Sequence, residues 1–177
     1  QGRALLPVQR LRGDAVIISL DTETTGVDLA HGAMPFLVTT CDGDGIIRFW
    51  EWDVDPLTRR PEVPLEDVAE VIELIDAADL IYLHNSKFDV RALATIDVAL
   101  PWPKVRDSLV GSHLLGSNHS HKLKEEGGFD LCQRYLGVDI SKHEVHAKTV
   151  VQECRAIAKR EFPDWRIARE DLPDMPS

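Results

Sequence analysis

Asp21 and Glu23 stand two residues apart in the segment Asp21-Thr22-Glu23-Thr24-Thr25-Gly26, directly after an apolar run, Ala15-Val16-Ile17-Ile18-Ser19-Leu20. If that run is a strand, side chains at i and i+2 share a face, with Cα atoms roughly 6.5–7 Å apart. Two carboxylates so placed repel each other unless a cation lies between them. A hard divalent ion, Mg²⁺ or Mn²⁺, suits that donor set, because it takes oxygen ligands and keeps water for a substrate. Taken alone, Asp-x-Glu is also what a solvated strand exit looks like, so the rest of the chain has to decide.

A second constellation is His84-Asn85-Ser86-Lys87-Phe88-Asp89, which follows a short apolar run and opens a helical pattern. In α/β sheets, ligands collect beyond the carboxyl ends of strands, especially where the strand order reverses. Asn85 or Ser86 is placed to cap the helix. Asp89 falls in the first helical turn, where free backbone N–H groups favour its ionised form. Phe88 suits either the core or the floor of a site.

The elements that must position these residues can be read from periodicity. Residues 15–20 form a buried strand; residues 36–41 and 46–52 flank Asp42-Gly43-Asp44-Gly45 as a hairpin. Asp42 and Asp44 do not make a calcium loop, because Ile46 stands where the next ligand is needed. Residues 53–64, with three prolines, form a loop. Residues 65–78 carry Val68, Val71, Ile72 and Ile75 at helical spacing. A short strand at 80–83, a helix to about residue 96, a strand at 104–106 and helices at 108–115, 129–136 and 142–161 complete the pattern. The fold class is α/β: a mixed sheet, antiparallel first and parallel later, flanked by helices. Residues 1–14 are an N-terminal extension, 15–161 one domain, and 162–177 an irregular tail. Trp50 and Trp52 share a strand face and suit packing rather than base stacking.

Composition narrows the function classes. The 177 residues are 44% hydrophobic and 28% charged, as expected for a soluble globular chain. No apolar stretch approaches the roughly 20 residues that span a bilayer, and residues 1–14 show no apolar core or cleavage pattern of a secretory signal. Three widely spaced cysteines, Cys41, Cys132 and Cys154, fit a reducing, cytoplasmic setting better than a disulfide framework. The net charge of −10 argues against tight binding to long duplex DNA. Between His84 and Arg160, however, 12 Lys and Arg face 9 Asp and Glu, and six of the seven His lie there. That balance fits a few nucleotides held through metal.

The two motifs together resemble the DnaQ-like, or DEDD, 3′–5′ exonucleases, whose first motif is Asp-x-Glu and whose second is Asn-x-x-x-Asp with an aromatic before the Asp. Within that superfamily the chain is most similar to the proofreading domains of family A DNA polymerases and to RNase D. Val105-Arg106-Asp107-Ser108, Lys122-Leu123 and Tyr135-Leu136-Gly137 extend the likeness over residues 16–137. The resemblance implies a ribonuclease-H-like sheet and hydrolysis of the terminal phosphodiester of DNA with two metal ions. It implies that Asp21 bridges both ions, that Glu23 completes one and that Asp89 holds the other. Asn85 and Phe88 then shape the floor beneath the terminal nucleotide, Thr24, Thr25 and His84 contact sugar and phosphate, and Leu123 wedges against the terminal base. The implied partner is a single-stranded or frayed DNA 3′ end, with a polymerase domain or replication proteins as further partners and no membrane. The same motifs admit an RNase D-like exoribonuclease, and the fold admits a nucleic-acid-binding or scaffold domain without activity.

The family also carries a fourth carboxylate in a third motif, Tyr-x-x-x-Asp or His-x-x-x-x-Asp. No His here has an Asp five residues on. Tyr135-Leu136-Gly137-Val138-Asp139 fits the letter pattern, but Gly137 reads as a helix stop that precedes such a motif in relatives. The third motif is therefore expected on a helix beyond Ser177, the alternative being a domain that has lost full activity. Asp107, at the end of a strand, is expected to cap rather than catalyse. His143-Glu144-Val145-His146 has the wrong spacing for a zinc-protease site, and no phosphate-binding P-loop is present.

Overall fold

β1 (Ile17–Thr24) alternates exposed and buried side chains along its whole length, which places it at the centre of a half-covered sheet. The computed structural model describes residues 15–116, 118, 121–123 and 131–139, together with 149, 152, 153, 156, 157, 160 and 161. Two compact units divide at Ser117 and Asn118.

In the first unit β1 is followed by β2 (Pro35–Asp42), β3 (Ile47–Glu51), α1 (Leu65–Ala77), β4 (Leu80–Leu83), α2 (Ser86–Ala94), β5 (Val105–Asp107) and α3 (Ser108–Leu115). The strand order is β3-β2-β1-β4-β5. β1 pairs antiparallel with β2 and parallel with β4, and β4 pairs parallel with β5. The expected mixed sheet is present. The first strand is longer than the apolar run suggests. Hydrogen-bonded pairing with β2 carries it through Asp21, Thr22 and Glu23, so both carboxylates lie on the strand itself. A register shift between Glu23 and Thr24 then ends the regular ladder, a device that re-aims side chains beside a strand end.

The hairpin turns at Asp42, whose Oδ1 accepts the amides of Asp44 and Ile46. Gly45 takes the positive φ of 79° that this turn requires. The core gathers Ile18 and Leu20 of β1, Val38 of β2, Ile81 and Leu83 of β4 and Val71, Leu74 and Ile75 of α1. Trp50 and Trp52 are buried as expected. Their indole N–H groups donate to Glu70 and Asp67 of α1, at 3.0 and 2.8 Å, which fastens the helix to the hairpin. Asp79 joins the starts of β1 and β4: its carboxylate accepts the Val16 amide at 2.8 Å and its own amide donates to the Val16 carbonyl.

In the second unit, the amides of Leu131 and Cys132 donate to the carbonyls of Lys122 and Leu123. A widened helical segment at Cys132–Leu136 stops at Gly137, whose φ of 67° makes it the helix stop read from the sequence. Most of the helix expected at 142–161 and the tail at 162–177 lie outside the described residues. Cys41 is a free thiol. Among the described residues no helix is long and apolar enough to cross a membrane.

Candidate active site

The parallel register brings the two motifs to one level. Ser19 lies opposite Tyr82, so two residues further along, Asp21 stands level with His84. Asp21 and Glu23 both occupy the exposed face of β1. Thr22, between them, faces the interior and is 6% exposed. Its amide and its hydroxyl both donate to Asp89 Oδ1, at 3.1 and 2.8 Å. Asp89 is thereby tied to β1 from the buried side, while Asp21 and Glu23 point the other way.

This arrangement reverses one expectation. The helix N-terminus was expected to favour ionised Asp89. Burial instead raises its pKa from 3.8 to about 6, and the charge of Asp21 pushes in the same direction against the two bonds from Thr22. A residue 3% exposed has lost most of its hydration, and the end of a nine-residue helix does not replace it. His84, half-buried, has its pKa lowered by burial, although Asp107 and Asp21 both pull it upward. The fields of Asp21, His84 and Asp89 therefore overlap at the carboxyl ends of β1 and β4.

Capping differs as well. Asn85 holds the position before α2 in a left-handed conformation, φ 68° and ψ 50°, and its side chain makes no capping bond. The cap comes from Asp107 on the neighbouring strand. Its carboxylate accepts the Asn85 amide at 3.2 Å and the Ser86 amide and hydroxyl at 2.8 and 2.7 Å. The same carboxylate accepts the amides of Leu109 and Val110 at the start of α3. Burial pushes Asp107 up, but the bonds from Ser86, Val110 and Asn85 outweigh it and hold its pKa below the ordinary value. The exposed Asn85 side chain is left free of that duty, in a backbone conformation that asparagine tolerates and that recurs at functional sites.

The other expected site residues are placed as follows. Phe88 is half-buried beside Asp89 in the first turn of α2. Thr24 donates its hydroxyl to the Gly26 carbonyl at 2.7 Å. Thr25 is bound within its own turn: its amide donates to the Met34 carbonyl and its hydroxyl accepts the Met34 amide. The Thr25 carbonyl accepts from the Arg59 guanidinium. Leu123 belongs to the second unit and is 40% exposed. Thr22 and Ser108 were not singled out in the sequence. Thr22 had a signal, since a polar residue on the buried face of a strand must find a partner. Ser108 had none beyond following Asp107.

The donor chemistry fits a hard cation in part. Two exposed carboxylates share a strand face, and a third feels the charge of the first. Yet among the described residues no three His, Cys, Asp or Glu side chains are grouped so as to hold a metal ion. Of the expected trio, Asp21 and Glu23 share the exposed face of β1, and Asp89 is bonded to β1 through Thr22.

No protein-family model matches the chain, and no curated protein matches it. Among solved structures, Brucella melitensis NrnC with bound Mg²⁺ is similar, with a TM-score of 0.52 and 24% identity, over 70% of this chain and 55% of that one. The same protein bound to pGG gives 0.51 and 22%, over 70% and 54%, and NrnC without a named ligand gives 0.51 and 23%, over the same shares. The fold is ribonuclease-H-like. The chain spans about half the length of the solved structures it matches.

Proposed function

We propose that this chain is a metal-dependent 3′–5′ exonuclease domain that removes nucleotides from the 3′ end of a short or single-stranded nucleic acid. The observation that carries this reading is the pair Asp21 and Glu23 on the exposed face of the central strand, level with the junction of β4 and α2. The likeness to NrnC solved with Mg²⁺ and with pGG supports a divalent ion and a short nucleotide as ligands. Asp21 and Glu23 would hold Mg²⁺ or Mn²⁺, and Asp89 would serve a second ion directly or through water once its carboxyl is ionised. Bound there, such ions supply an activated water and neutralise charge on the leaving oxygen. Phe88 and Asn85 form the floor under the terminal nucleotide, Thr24 and Thr25 face its sugar and phosphate, and His84 faces its sugar. DNA is the proposed substrate, in a proofreading or stand-alone setting; RNA is the alternative, and the 2′-hydroxyl would decide between them.

The engagement of Asp89 with Thr22 and its raised pKa favour a second reading, a nucleic-acid-binding domain that does not hydrolyse its ligand. One pair of measurements separates the two. Mn²⁺ is titrated calorimetrically, and an end-labelled oligonucleotide is incubated with Mg²⁺ or Mn²⁺. The exonuclease reading expects metal binding and stepwise shortening, with Asp21→Ala at least about a hundredfold slower and still folded. Metal and nucleotide binding without shortening would leave the binding domain, and Asp21→Ala shortening at the parent rate would overturn the site.

A further inference from the structure

We infer that Ser108 is a positioning residue that holds His84 in a single tautomer, leaving its Nε2 to accept a hydrogen bond from the terminal 3′-hydroxyl of the substrate. This rests on the exonuclease reading above. Ser108 Oγ lies 3.0 Å from the Leu83 carbonyl oxygen and 3.0 Å from His84 Nδ1. A hydroxyl has one proton to give, and a carbonyl can only accept. With that proton on Leu83, Ser108 offers His84 a lone pair, so His84 Nδ1 carries the ring hydrogen. In a neutral imidazole the other nitrogen, Nε2, is then an acceptor. Burial lowers the pKa of this ring, which keeps it neutral near pH 7.

The hydroxyl is well placed to impose this choice. Ser108 is the first residue of α3, and the adjacent Asp107 caps both α2 and α3, so the serine sits between two anchored helices. His84 leaves β4 level with Asp21. An acceptor nitrogen beside carboxylates repels a phosphate oxygen and asks for a donor. The sugar–phosphate backbone of DNA offers one such donor, the hydroxyl at its 3′ end. A ring held in this tautomer therefore reads a free 3′ terminus, which distinguishes a chain end from the interior of a strand.

The test uses the full chain, labelled with ¹⁵N in histidine, and two probes: a 5′-phosphorylated dinucleotide ending in a 3′-hydroxyl, and its 3′-deoxy counterpart. The parent is expected to show the Nδ1–H tautomer at His84 and to bind the hydroxyl probe about fivefold more tightly, the worth of one hydrogen bond. Ser108→Ala should release the tautomer and erase that preference, and Ser108→Thr, which keeps the hydroxyl, should restore both. A Ser108→Ala variant with the parent tautomer, or with the full preference, would overturn the inference. Equal binding of both probes by the parent would overturn it too and leave the exonuclease reading standing. If the parent bound neither probe, that reading would fall and this inference with it.

Discussion

Asp89 is the residue at which stability and function part company. Its carboxyl is pushed up to about 6 in the folded chain, first by burial and then by the charge of Asp21, against roughly 3.9 for an unfolded aspartate. Between those values the folded chain holds a proton that the unfolded chain has released. A raised folded pKa contributes stability that is complete below about pH 4 and is lost as pH rises through 6. At about 1.36 kcal/mol per unit, the loss comes to about 2–3 kcal/mol. Asparagine in its place keeps an oxygen for the amide and hydroxyl of Thr22 and carries no charge. Asp89→Asn is therefore expected to be about 2 kcal/mol more stable than the parent at pH 8 and equal to it near pH 4, with oligonucleotide shortening lost. Urea midpoints at the two pH values, measured in EDTA, check this. A gain of the same size at both would show that the burial of a charge is not what the parent endures.

At the scale of elements, Asp107 does what two separate caps usually do. Its side chain accepts five hydrogen bonds, from Asn85, Ser86 (twice), Leu109 and Val110, at the starts of α2 and α3. Asp107→Ala removes both caps at once and is expected to cost about 2–4 kcal/mol, read from the denaturant midpoint. Asp107→Asn, which retains an acceptor oxygen, should cost less; equal losses for the two would mean that volume rather than hydrogen bonding matters there. The elements themselves were largely legible. The bounds of β4 and α3 follow from the apolar run at 80–83 and from Ser108, because local pattern and tertiary fold agree there. The stop at Gly137 was legible for the same reason. The capping of α2 was not, because the acceptor comes from a strand 21 residues away and no local pattern encodes that reach. The length of β1 was also underestimated, since pairing with β2 extends a strand over polar residues that hydropathy alone assigns to a loop. In the site, the pairing of Asp21 with Glu23 is a consequence of strand periodicity and could be read directly. The position of Asp89 depends on which face of β1 meets α2, and that is decided only when the layers pack.

For the whole molecule, charge decides how a nucleic acid can be held. A net charge of −10 cannot support a long track of phosphate contacts, each of which needs a Lys or Arg and the counterion that it releases. Residues 84–160 are near neutral, so the first half and the last residues carry the acidic excess. A ligand bound through a cation at Asp21 and Glu23 gains little from nucleotides beyond the first few, because the chain has no large excess of Lys and Arg to hold their phosphates. The affinity for a dinucleotide and for a 20-mer single strand should then lie within about tenfold of each other. With about 0.7 in log–log slope per neutralised phosphate, one or two contacts give a salt slope of about −0.7 to −1.4. Removing divalent metal should abolish binding of both lengths, because like charges on the carboxylates and the phosphates then repel each other. Fluorescence anisotropy across a salt series, with Mg²⁺ and with EDTA, measures all three quantities. A slope near −5, or an affinity that climbs with every added nucleotide, would place the main contact on a basic surface and not at the carboxylates of β1.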